Sequence, residues 1–128
     1  MNASLTLLGR IGLALIFIVA GWGKISGYEG TQQYMQAMGV PGALLPLVIL
    51  LELGGGLAIA TGFLTRWVAI ALAVFSVVTA FIFHGNFGDA AQATSFWKNV
   101  AMAGGFLLLA AQGAGAWSID GLLGRAKA

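Results

Sequence analysis

Glu52 is the residue of this chain with the clearest capacity for chemistry. It is the only charged side chain between Glu29 and Arg66, and apolar runs flank it on both sides. An ionised carboxylate in such a setting needs a counter-charge, or must be protonated and hydrogen-bonded. Two roles stand open: a group that handles protons or orients a ligand, and a structural acid that ties helices together. Arg10, inside the first apolar stretch, is the expected partner. An Arg10–Glu52 pair would relieve two desolvation costs at once, while the alternative for Arg10 is to extend its long side chain to the membrane surface.

A second polar set is dispersed in sequence: Lys24, His84, Lys98 and Asn99. His84 is the only histidine; imidazole exchanges protons near neutral pH when unperturbed, and it can donate a hydrogen bond to a quinone carbonyl. The bland reading is an interfacial histidine. Lys24 and Lys98, taken singly, read as surface anchors. Asn99 places an amide at the start of an apolar stretch, where it needs a partner. Ser76 and Thr79 are expected to bond back to their own helix. The 128-residue sequence has no cysteine, which excludes disulfides, thiol redox chemistry and thiolate metal sites. One histidine and four dispersed acids do not supply a bis-histidine haem, a zinc site or a di-iron site, so no metal or covalent cofactor is expected.

The elements that must position these groups are long and apolar. Only 8% of residues are charged, 59% are hydrophobic, and the mean hydropathy is +0.94. A soluble domain of ordinary composition is about a quarter charged, so a lipid bilayer must serve as part of the solvent. A spanning helix needs about 20 apolar residues. Four segments approach this, at approximately 5–22, 43–63, 67–83 and 97–112, and the expected fold is all-α: an up-and-down bundle of four transmembrane helices in one domain, 1–128. The first stretch lacks a basic leader and a small-residue cleavage pattern and reads as a retained helix. A tight turn at Thr65-Arg66 would make the second and third helices antiparallel neighbours. In the first loop, Thr31 to Met38 reads as a short surface helix stopped by Gly39 and Pro41. Gly54-Gly55-Gly56 and Gly104-Gly105 lie inside spans, where small residues let helices approach; no phosphate-binding context surrounds them.

Topology follows from basic residues near the helix ends. Arg10, Arg66, Arg125 and Lys127 fall on one side, Lys24 and Lys98 on the other, which puts both termini in the cytoplasm. Trp22 and Trp97 then mark the outer interface, Trp67 and Trp117 the inner one. In this arrangement Lys24, His84, Lys98 and Asn99 converge at the outer face above Glu52. The net charge of +2 offers no nucleic-acid surface.

Several short motifs share order and spacing with one family: Arg10-Ile11-Gly12, Gly21-Trp22-Gly23-Lys24, Gly39-Val40-Pro41, Glu52 with its three glycines, and Gly62-Phe63-Leu64-Thr65-Arg66. Phe83-His84, Asn86-Phe87, Lys98-Asn99 and Gly104-Gly105-Phe106 extend the pattern over nearly the whole chain. The sequence resembles the DoxX family of small bacterial inner-membrane proteins, in the branch described as quinol oxidase subunits. The resemblance implies a four-helix membrane fold, association with oxidoreductase systems, and polar positions at Arg10, Lys24, Glu52, Arg66, His84, Lys98 and Asn99. The expected function is a quinone- or quinol-interacting subunit that works with a redox partner protein. A lipid or small-amphiphile carrier and a structural assembly subunit, including a homo-oligomer, stand as the alternatives.

Overall fold

A computed structural model describes residues 2–124. Every regular element among them is helical: α1 (Asn2–Ser26), α2 (Tyr28–Ala37), α3 (Gly42–Thr61), α4 (Thr65–Phe83), α5 (Ala90–Gln112) and α6 (Ile119–Leu122). Helices α1, α3 and α4 are long and apolar enough to cross a membrane. Helix α5 has the length, but Gln92, Lys98 and Asn99 in its first half dilute its apolar character.

The boundaries differ from expectation where capping takes over from hydropathy. Helix α5 starts at Ala90 rather than near residue 97, because the Asp89 carboxylate accepts the Ala91 N–H at 2.9 Å and satisfies an otherwise orphaned donor. The turn between α3 and α4 is Gly62 to Leu64, and Thr65 and Arg66 already belong to α4. Helix α2 begins at Tyr28, three residues earlier than read, and ends where Gly39 takes a φ of +81°. Arg125 and Lys127 lie outside the described residues.

Helix α3 is not uniform. It opens with a 3₁₀ turn (Gly42–Leu44), continues as α-helix (Leu45–Ile49), widens to a π-helical stretch at Leu50–Gly54, and closes as α-helix (Gly55–Thr61). A π-stretch is rare and recurs at functional sites; here it contains Glu52.

The core is drawn from four helices. Ala14 and Phe17 of α1, Ile59 of α3, Ala69, Leu72 and Ala73 of α4, and Ala103, Phe106 and Leu109 of α5 form one buried cluster. Phe17 anchors it, edge-on to Phe106 at 5.5 Å and tilted against Phe75 at 6.3 Å. Two glycines set how closely α1 meets α3. A Cβ on Gly21 would stand 2.9 Å from the Leu53 nitrogen, and one on Gly56 would stand 2.8 Å from Ile18 Cγ1 and 3.1 Å from its nitrogen. Outward, Leu8, Val19, Leu50, Phe81 and Leu108 are each about two-thirds exposed. So much large apolar surface calls for lipid rather than water as its neighbour.

Candidate functional site

The glycine contacts fix the register of α1 against α3, and the register selects the partner of Glu52. Glu52 falls beside the turn that carries Lys24, and Lys24 Nζ lies 2.7 Å from Glu52 Oε1. The side chains are 28% and 7% exposed, respectively. At this distance the two groups form a close ion pair. This corrects the expected Arg10–Glu52 pairing. Arg10 is 14 residues from Lys24 along the same helix, a distance of roughly 21 Å at 1.5 Å per residue, and it belongs to the opposite end of the molecule.

Lys24 and Glu52 line a partly open cavity of about 370 Å³ bordered by residues of α1 to α5. Its walls are mostly apolar, with Phe17, Met35, Val48, Phe75 and Met102 prominent. His84, at the end of α4, and Asn99, on α5, reach the same cavity. Three residues of the expected outer cluster therefore converge with Glu52 in one space instead of lying above it. Lys98 is exposed and does not contribute to the wall; on a helix its neighbour Asn99 faces about 100° away, so only one of them can face inward. Asn99 finds the partner its position calls for: Nδ2 donates to the Ser76 carbonyl at 3.1 Å and to Thr79 Oγ1 at 3.2 Å. Ser76 and Thr79 bond back to Leu72 and Phe75 at 2.8 and 2.9 Å. Helix α2 covers one side of the cavity with Thr31, Tyr34 and Met35, and Tyr34 stacks on Phe83 at 5.4 Å.

The other polar centre is structural in form. Arg10 is 1% exposed. Its Nη1 donates to the carbonyls of Ile59 and Ala60, each at 3.1 Å, and its Nη2 to the carbonyl of Trp117. Asp120, fully buried, acts electrostatically on Arg10 and accepts the N–H groups of Leu64 at 3.0 Å and Thr65 at 2.9 Å. It thereby caps α4 and stabilises Leu64, which sits at a φ of +48°. The Asp120 N–H returns a bond to the Gly62 carbonyl at 2.9 Å. Arg66 donates from Nη2 to the Ala111 carbonyl at 3.2 Å, which ties α4 to the end of α5.

Sequence reasoning missed Asp120, which reads as tail, and the cavity contributions of α2. Ser118 two residues before Asp120 was the available signal: its hydroxyl accepts the Gly121 N–H at 2.9 Å and starts α6. Among the described residues no group of three or more metal-ligating side chains gathers.

A model of the DoxX family matches residues 5–85. The chain belongs to the DoxX family. The matched stretch contains Arg10, Lys24, Glu52, Arg66 and His84, and ends before Asn99 and Asp120. Relatives along the length of this DoxX protein include the inner membrane protein YqjF of Escherichia coli K12, 60% identical over 119 residues, covering 93% of this chain and 92% of that one. The inner membrane protein YphA of the same strain is 42% identical over 123 residues, covering 91% and 88%. A shorter likeness, 36% over 69 residues and about half of each chain, is to a Bacillus subtilis strain 168 protein named "Putative oxidoreductase CatD". No solved structure matches this DoxX protein.

Proposed function

We propose that this DoxX protein is a multi-pass protein of the bacterial inner membrane, a four-helix up-and-down bundle that binds a quinone or quinol head group as a subunit or accessory of a membrane oxidoreductase system. The cavity carries this reading. It is of the size at which small-molecule sites begin, its apolar walls suit a ring and the start of a tail, and its polar groups are a paired carboxylate and ammonium with an imidazole nearby. Lys24 and His84 supply donors for a ring oxygen; Glu52 supplies an acceptor and a place for a proton. Electrons would pass to a partner protein, and the relative named as an oxidoreductase favours such a setting. In this topology α5 is the fourth span, with Asn99 facing the cavity, and both termini are cytoplasmic, with Lys24 and His84 toward the outer face.

The test is direct. Protein purified in mild detergent is extracted for bound quinone and titrated with a short-chain benzoquinone while tryptophan fluorescence is followed. Saturable quenching, weakened at least about tenfold by Glu52→Gln, is the expected result. Absence of bound quinone, together with a Glu52→Gln variant indistinguishable from wild type, defeats the proposal.

A second reading follows from the predominantly apolar wall: a lipid or other amphiphile occupies the cavity, its polar head at the Lys24–Glu52 pair. Native mass spectrometry separates the two, since retained phospholipid that quinone does not displace favours the carrier.

A further inference from the structure

The hydrogen bonds around the cavity have a direction, and the direction discriminates between ligands. The Ser76 carbonyl can only accept, so the amide of Asn99 must turn Nδ2 toward it. Its Oδ1 is thereby fixed on the opposite side of the amide. A hydroxyl carries one hydrogen. That of Ser76 is donated to Leu72, that of Thr79 to Phe75 and that of Thr31 to Gly27, the last at 2.9 Å. All four side chains line the cavity, and each has only lone pairs left to offer. The wall formed by Ser76, Thr79 and Asn99 accepts hydrogen bonds and donates none. Donors come from the other side, from Lys24, His84 and the hydroxyl of Tyr34.

We infer that the cavity selects the hydroxyl-bearing, reduced form of its ligand, with Asn99 as the residue that sets this preference. The inference rests on the quinone-site reading and narrows it. Both oxygens of a quinone only accept. One can accept a hydrogen bond from Lys24, His84 or Tyr34, but an oxygen turned to the Asn99 wall meets lone pairs and loses its water without replacement. A hydroquinone brings two hydroxyls, each able to donate and to accept. One serves the Lys24–Glu52 pair and the other donates to Asn99 Oδ1. Sites built to pair with a hydroxyl reject analogues that lack it far more strongly than apolar pockets reject a change of size.

Three ligands of nearly one shape test the inference: a short-chain hydroquinone kept reduced under anaerobic conditions, its quinone, and its bis-O-methyl ether, which retains the ring but donates nothing. Titrated into the intact protein in detergent, the hydroquinone is expected to bind at least about tenfold more tightly than either of the others. By linkage, each tenfold preference raises the midpoint potential of the bound two-electron couple by about 30 mV. In Asn99→Leu the ratio of hydroquinone to quinone affinity should fall toward one. Asn99→Gln keeps both an amide donor for the Ser76 carbonyl and an acceptor oxygen and should preserve the ratio, an outcome that a purely structural role for Asn99 does not produce. Should Asn99→Leu fail to fold, the three-ligand series on wild type still decides. Quinone binding as tightly as hydroquinone overturns the inference and leaves the quinone site standing. Binding of none of the three overturns both. A full preference retained in folded Asn99→Leu removes the role of Asn99.

Discussion

Gly21 on α1 meets Leu53 on α3 so closely that a Cβ there would press on the Leu53 backbone, and this contact determines which cation reaches Glu52. With the helices in that register the acid faces Lys24, while Arg10 faces the carbonyls of Ile59 and Ala60 at the far end of α3. The two cations of α1 thus serve separate networks.

That separation has a thermodynamic signature. Removing the cation in Lys24→Met strands a nearly buried carboxylate, with an expected loss of about 1–3 kcal/mol; the partial exposure of Lys24 keeps the cost below that of breaking a fully buried pair. Adding Glu52→Gln to Lys24→Met should recover much of the loss. Unfolding of the single and double variants in detergent measures the coupling. The same cycle run on Arg10→Met and Glu52→Gln should give additive effects within about 0.5 kcal/mol, because independent sites add. Strong coupling between Arg10 and Glu52 would contradict the register.

Asp120 is expected to matter as much as any core residue. It supplies both acceptors for the N–H groups of Leu64 and Thr65 and the counter-charge near Arg10. Asp120→Ala removes a cap and leaves the guanidinium less compensated, at a cost of about 2–4 kcal/mol. Hydrogen exchange should localise the damage to the start of α4 and the α3–α4 turn. Protection there equal to wild type would rule out the capping role.

Much of this organisation is legible in the sequence, and the gaps have physical causes. Polar side chains inside apolar runs announce themselves, which is why Glu52, Arg10, Lys24, His84 and Asn99 could be singled out. Their pairing depends on axial register and on rotation about the helix axis, which hydropathy does not encode. Glycine at positions 21 and 56 sets the register, but nothing in the sequence says which helix each one admits. The π-stretch at Leu50–Gly54 has no compositional marker. The start of α5 was misplaced because a cap, not an apolar residue, fixes it. Asp120 escaped notice because its importance comes from a turn more than fifty residues earlier.

Glycines offer a contrast that tests the packing directly. Gly62 has a φ of +74°, and a Cβ there would collide with Ser118 and stand 2.7 Å from Arg10 Nη1. Gly62→Ala should cost about 2–4 kcal/mol through backbone strain and displacement of the Arg10 network. Gly104 is helical and exposed, with nothing within 4 Å of its Cβ position. Gly104→Ala should be neutral or stabilising by about 0.5–1 kcal/mol, from helix propensity alone. Thermal unfolding of the two variants side by side is the measurement, and equal effects would refute the packing described.

The cavity can be filled without touching its polar groups. Ala20 on α1 lines it between Lys24 and Phe17, and a larger side chain there has room to project into the cavity rather than into a packed wall. Ala20→Leu should therefore change stability by less than about 1 kcal/mol, unlike an insertion into dense core, which typically costs about 1–3 kcal/mol. Binding of a short-chain quinone or hydroquinone should fall at least about tenfold, because the added carbons occupy space the ring needs. The Lys24–Glu52 coupling energy should be unchanged, since neither group is altered. Fluorescence titration and unfolding of the same preparation read both quantities. Undiminished binding in a folded Ala20→Leu protein would place the ligand elsewhere; lost binding with intact stability ties it to the space between Phe17, Glu52 and Asn99.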